Sequence, residues 1–256
     1  MDADVIDTQT QLPAGEMPGG KASQQDAVPR WTAALPIIVL VGFLAVLLVH
    51  LTGGGERYLS FFVDDFFYYL VIARNLAFHG ASTFNGLQAT NGYHPLWLLT
   101  IAFLYRIFGT HFAFFVALLV LIWLLVCGSY RALLAAQLSL GIAPIPGLAC
   151  ALFSVTFMAV LARTGMEVGL ALFFLCLFWE RMAARPLEVQ TSAEALVSGL
   201  LDSALVLSRI DASLIVALYG GLTLIEPFGV QRSRVLKTML WFGAGLVPIA
   251  IYVAIN

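Results

Sequence analysis

Asp64 and Asp65 stand side by side just before a run of aromatic and aliphatic residues, Phe66 to Leu70, in a chain that otherwise carries little charge. Like charges and burial both raise carboxyl pKa values, so an apolar protein that holds such a pair beside a membrane face is expected to use it for chemistry. An ionised Asp within reach of a hydroxyl is a general base. The structural alternative is a helix N-cap with a solvated neighbour. The pairing and the aromatic flank favour chemistry.

Three further groups accompany the pair. In Thr90-Asn91-Gly92-Tyr93-His94-Pro95-Leu96-Trp97, Asn91-Gly92 is a turn signal and Pro95 suits the first position of a helix. His94 is a candidate to hydrogen-bond substrate or phosphate, to ligate a metal, or only to cap local backbone; Asn91 is grouped with it as a substrate contact. Arg163 with Glu167, and Arg209 with Asp211, sit at the ends of apolar runs. Ionisable residues at such depth usually face a bundle interior or a water-filled cavity. Either these are mutually neutralised pairs that hold helices in register, or one of the two arginines contacts an anionic ligand. Arg57, Arg74 and Arg106 add cations able to hold a phosphate. No cofactor is required by these residues; if a divalent cation (Mg, Mn or Ca) serves, Asp65 and His94 are its candidate ligands. Asp202 lies inside an apolar segment, and its role stays open.

The elements that must position these residues belong to a membrane. The 256 residues are 61% hydrophobic and 11% charged, with a mean hydropathy of +0.92, whereas a soluble domain carries about 25% charged residues. The expected fold class is all-α, a polytopic transmembrane helical bundle. A net charge of −2 gives no sign of a nucleic-acid partner. Cys127, Cys150 and Cys176 are scattered through apolar runs and read as small packing residues. Gly53-Gly54-Gly55 lacks the Lys-Ser/Thr of a phosphate-binding loop. An activated donor would therefore come from another class, and a lipid-linked donor suits an outer-face site, where nucleotides are scarce.

Residues 1–30 are polar and without apolar periodicity, which predicts a disordered cytoplasmic tail. From Trp31 to Gly55 there is no Asp, Glu, Lys or Arg, and about 20 apolar residues cross a bilayer as helix. The first span is placed at 32–51. Others are expected at 112–130, 145–162, 166–180, 194–208, 211–226 and 238–255, making about seven; 194–226 alternatively forms one long tilted helix. Arg131, Arg181, Arg185, Arg232, Arg234 and Lys237 fall on the cytoplasmic side if 95–108 lies on the membrane or re-enters. The N-terminus is then inside, and 53–111 forms an outer catalytic loop of short membrane-lying helices within a 31–256 module. The apolar run ending at Asn256 reads as the point where a longer protein is truncated.

The stretches DDFFYYLVIARNLAFHG, FNG, TNGYHPLW, TGMEVGL and LSRIDA, in that order, resemble the N-terminal half of bacterial polytopic glycosyltransferases of the GT-C fold. That superfamily includes protein O-mannosyltransferases, aminoarabinose transferases and mycobacterial arabinosyltransferases. The resemblance covers about residues 33–256. It implies an enzyme of the bacterial inner (plasma) membrane that transfers a sugar from a polyprenyl-phosphate donor to a glycan, lipid or protein acceptor on the outer face, usually with inversion. It implies Asp64 as the base and Asp65 as the residue that orients the acceptor or binds a cation. Arg74 and Asn75 match an Arg-Asn of the nearest relatives. Relatives continue with more spans and often a soluble outer domain. A transporter or lipid flippase, or a non-catalytic partner in a cell-envelope glycan pathway, is the competing reading.

Overall fold

Asp64 and Asp65 open helix α1 (Asp64–His79), where two carboxylates suit the positive end of the helix dipole. The N-cap is Val63, so neither Asp is the cap. Gly80, at φ 70°, ends the helix in the left-handed conformation, and its N–H returns to the Leu76 carbonyl. Phe66, Tyr69, Leu70 and Ala73 recur at helical spacing and are buried. They pack with Trp97, Leu98, Ile101 and Ala102 of α2 (Pro95–Phe108), which starts on Pro95 as its sequence predicts. Tyr105 of α2 stacks on Phe114 at the start of α3 (Phe112–Ser139), with ring centroids 4.0 Å apart.

This computed structural model describes residues 62–110, 112–142, 164–225 and 232–255, with isolated positions elsewhere. The tail, the spans expected at 32–51 and 145–162, Arg57 and Arg163 lie outside the described residues.

α4 (Val168–Ala184) runs along α3, with the Phe173 ring set against Gly128. A turn through the 3-10 segment Leu187–Val189 leads to α5 (Ser192–Ser208), which opens on a capping box of Thr191 and Glu194. The chain breaks again at the 3-10 segment Ile210–Ala212 before α6 (Ser213–Ile225), so 194–226 is two helices and not one long one. α6 returns toward the Leu187 turn, where the Tyr219 hydroxyl accepts the Leu187 N–H at 3.4 Å. α7 (Arg232–Gly245) and α8 (Val247–Ile255) follow, bent by 42°. Pro248, in the first turn of α8, has no N–H to continue the α7 ladder, which accounts for the break.

Among the described residues the fold is all-helical, apart from an isolated bridge between Thr83 and Ala89. The expected seven crossings are not supported. Among the described residues α3, with 28 residues and a mean hydropathy of 2.7, is the one helix long and apolar enough to cross a membrane, joined by the α7–α8 pair if that counts as one span. It also runs past the predicted end at 130, to Ser139. α2, α4, α5 and α6 have 14, 17, 17 and 13 residues. Such helices measure roughly 20–26 Å, short of the ~30 Å hydrocarbon core. Gly109, Pro186 and the Arg209–Asp211 corner are what cut them.

Two ends are distinguished along α4 and α5. At one, Arg131 meets Glu180 at 3.3 Å, Arg185 meets Glu194 at 2.6 Å, and Arg234 donates to the Val189 carbonyl at 3.4 Å. At the other lie Glu167, before α4, and Arg209, after α5. Arg131, Arg185 and Arg234, three of the basic residues that the sequence grouped on one side, thus lie at the end of α4 and α5 away from Glu167 and Arg209.

Gly199 of α5 and Gly245 of α7 let two backbones touch: a Cβ on Gly199 would collide with the Phe242 carbonyl oxygen. Gly199→Ala is expected to lower the thermal unfolding midpoint in detergent, at a cost of about 1–3 kcal/mol from overpacking. Gly243→Ala, on the same α7 but facing open space, is expected to leave the midpoint unchanged or raise it.

Candidate active site

The turn Thr164-Gly165-Met166-Glu167 ties the site together. Gly165 has φ +80°, and a Cβ there would sit 2.8 Å from the rings of Phe62 and Phe66, so only glycine fits both the backbone and the packing. Its carbonyl accepts the indole N–H of the fully buried Trp97 at 3.0 Å. The Thr164 carbonyl accepts the Val63 N–H at 3.4 Å. The DDFF, HPLW and TGME stretches, far apart in the chain, are therefore in direct contact.

Glu167 is 4% exposed, and a buried carboxylate needs partners. It has two. His94 Nε2 lies 3.6 Å, and the charged Arg209 Nη1 3.8 Å, from Glu167 Oε1. Arg209 is also gripped from the solvent side by Asp211, its Nε donating to both carboxylate oxygens at 3.0 and 3.1 Å. His94 Nδ1 accepts the Ile210 N–H at 3.4 Å, which leaves the proton of a neutral ring on Nε2, toward Glu167. Among the described residues, Glu167 Oε2 has no hydrogen-bond partner.

Beside this cluster is a pocket of about 690 Å³, lined by Asp65, Asn91, His94, Ile210 and four aromatic residues, Tyr68, Tyr69, Phe84 and Tyr93. Asp65, Tyr68, Tyr69 and Ile72 reach it from one face of α1, at the i, i+3, i+4, i+7 spacing of a helix. The opposite wall is the loop between α1 and α2. Asn75 holds that loop by donating to the Thr83 carbonyl at 2.8 Å, and Ser82 Oγ joins the Thr90 carbonyl at 2.8 Å and the Tyr93 hydroxyl at 2.6 Å. Asn85 closes the tip with its side-chain oxygen on the N–H groups of Leu87 and Gln88.

The Tyr69 hydroxyl accepts the His94 N–H at 3.1 Å. Burial pushes this phenol up to about 12, with the Glu167 and Asp65 carboxylates acting in the same direction and the His94 N–H against them.

The sequence candidates divide as follows. Asp65, Asn91 and His94 line the pocket, while Glu167, Arg209 and Asp211 form the brace beside it. Asp64 is exposed next to the pocket but is not on its wall. Arg74 is exposed on another face of α1, where its charge acts on Tyr105. Glu167 is too buried to be a first contact for a ligand. Both ring nitrogens of His94 face protein groups, which leaves Asp65 alone of the two suggested metal ligands; no group of three potential ligands occurs among the described residues. The expected pairing of Arg163 with Glu167 lies outside the described residues; among those described, Arg209 pairs with Glu167. Tyr68 and Tyr69 were missed although their spacing from Asp65 marks the same helix face. Phe84 and Tyr93 carry no such signal, because a loop brings them in.

No family model matches this chain, and neither a curated protein nor a solved structure matches it.

Two outcomes are expected. Arg209→Ala leaves Glu167 with His94 alone and lowers stability; combined with Glu167→Gln, the loss is smaller than the sum by about 0.5–2 kcal/mol in a double-mutant cycle. Tyr69, whose folded value is raised, contributes stability that is intact below pH 10 and lost as pH climbs toward 12. Unfolding followed against pH in wild type and Tyr69→Phe checks this: the variant loses part of the alkaline decline.

Proposed function

We propose that this chain is a membrane glycosyltransferase that moves a sugar from a polyprenyl-phosphate donor to an acceptor hydroxyl by inverting displacement. The observation that carries the reading is convergence. The stretches that resemble GT-C enzymes, DDFFYY, TNGYHPLW, TGME and SRIDA, are scattered over roughly 150 residues of sequence yet meet around one pocket with a carboxylate on its wall.

The base role falls to Asp65 in place of Asp64, because Asp65 borders the pocket. Its carboxylate takes the proton of the acceptor hydroxyl, the oxygen attacks the anomeric carbon, and polyprenyl phosphate departs. A general base of this kind contributes about 10²–10⁴-fold. Arg209, its side chain 42% exposed, is paired with Asp211 and Glu167 at rest and would have to exchange its contact with Asp211 to meet the departing phosphate. A divalent cation, if one serves, would rest on Asp65.

A membrane setting is supported by the outer surfaces of the helices. Phe112, Val116, Val120 and Leu124 form an exposed stripe on α3; Leu99, Phe103 and Ile107 do so on α2, and Leu214, Leu218, Leu222 and Ile225 on α6. Water would not tolerate so much contiguous apolar surface. With the Arg131, Arg181 and Arg185 end cytoplasmic, the pocket opens on the outer face of a bacterial plasma membrane, in a multi-pass protein with its N-terminus inside. The partners are then the lipid-linked donor, a glycan, lipid or protein acceptor, and membrane lipids.

One observation favours a second reading, a carrier or lipid flippase. Asp202 of α5 is fully buried, and among the described residues neither of its oxygens has a hydrogen-bond partner.

The test is turnover of polyprenyl-phosphate sugars by the full chain in proteoliposomes. Asp65→Asn is expected to reduce transfer by about 10²-fold or more, and Asp64→Asn by less than tenfold. Equal turnover by wild type and both variants would overturn the mechanism. Donor that crosses the bilayer without being consumed would assign the chain to the second reading.

A further inference from the structure

The pocket is lined by one carboxylate, Asp65, and by Tyr68, Tyr69, Phe84 and Tyr93, with no Lys or Arg among the described residues on its wall. Tyr68 and Phe84 sit with ring centroids 5.0 Å apart at a 38° tilt, yet they remain 55% and 46% exposed. Aromatic area of that size beside a carboxylate is uncovered in the free protein, and a ligand would cover it. The surrounding charge has the same sign. Asp64 stands next to Asp65, and Glu167 and Asp211 already take up Arg209, so the pocket faces a negative field.

We propose that the ligand entering this pocket carries an organic ammonium group, held by the Asp65 carboxylate and the aromatic wall. Aromatic ring faces are the negative part of the ring quadrupole and attract cations within about 6 Å of the centroid. The Asp65 carboxylate supplies the opposite charge and a hydrogen-bond acceptor for N–H. An anionic ligand finds no uncommitted cation on this wall. A divalent metal ion on this wall would find one carboxylate and would have to draw its remaining oxygen ligands from water or a substrate phosphate. The volume of about 690 Å³ admits a ring, so an amino sugar fits as well as the ethanolamine headgroup of a lipid. This names a substrate class for the pocket and rests on the proposed function for its part in transfer, although the binding event itself contains no transfer step.

Calorimetric titration of the detergent-purified full chain at low salt tests it, with three probes: a methyl glycoside, the 2-amino form of the same glycoside, and ethanolamine. The amino glycoside is expected to bind about tenfold more tightly than its neutral counterpart, the size of one partly solvated charge contact. That preference disappears in Asp65→Asn, persists in Asp64→Asn, and shrinks as salt is raised. Phe84→Ala weakens the ammonium probes with the fold unchanged by circular dichroism. Ethanolamine matching the amino glycoside keeps the proposal and marks a lipid headgroup as the source; ethanolamine binding far more weakly keeps it and marks the sugar. Equal binding of the neutral and amino glycosides, or a preference that survives Asp65→Asn, overturns it. Because no turnover is measured, a chain that transfers nothing but still prefers the amine counts against the proposed function alone.

Discussion

A carboxylate buried to 4% exposure organises this end of the molecule. Glu167 is too costly to hold uncompensated, and its partners come from the loop before α2 and the corner after α5, through the His94 ring and the Arg209 charge. Neither partner is a near neighbour in sequence. The turn carrying Glu167 is itself fixed by Gly165, whose backbone and missing side chain admit the rings of Phe62 and Phe66 and whose carbonyl holds Trp97. One turn thus sets the relative positions of α1, α2, α4 and α5, and the pocket is the space left between α1 and the loop that follows it.

The same arrangement explains which charges remain available. Arg209 faces two carboxylates, and His94 has both ring nitrogens engaged, so both are committed within the protein. Asp65 contrasts with them: it sits in the first turn of a helix, exposed, on the pocket wall. A carboxylate that is accessible and outside any ion pair among the described residues is the group in this cluster left to meet a ligand's proton or cation.

Much of the local structure was legible. Pro95 marked the start of α2, and the spacing of Phe66, Tyr69, Leu70 and Ala73 matches the buried face of α1, because such signals act within one or two helical turns. Span lengths were less legible. Hydropathy put the breaks at Pro186 and Arg209 between expected spans, but it does not see the one at Pro248, inside the apolar run 238–255. The site divided along the same line. Asp65, Asn91 and His94 announced themselves by type, but the pairing of Glu167 with Arg209 depends on how α4 and α5 cross, which no short-range pattern encodes. Charge type alone also misplaced Arg74, which lies on a different face of α1 from Asp65; counting residues around the helix would have separated them.

The short helices raise a question about how such a chain sits in a bilayer. α4 and α5 have 17 residues each and carry charged groups at both ends, Glu167 and Arg209 at one and Arg181, Arg185 and Glu194 at the other. In the proposed membrane reading their ends, and not their middles, would meet the polar zone, and a helix slightly shorter than the hydrocarbon core would be accommodated by local thinning and by long arginine side chains reaching outward. α3, at 28 residues, is long enough to tilt against them. On that reading the difference would set the pocket near the interface, where the proposed lipid-linked phosphate and a water-soluble acceptor would meet. A deeper pocket would exclude the acceptor, and one standing above the membrane would have to draw the prenyl chain out of it. Helix length and the proposed donor class are thus linked, because the depth of the pocket would follow from these two short helices.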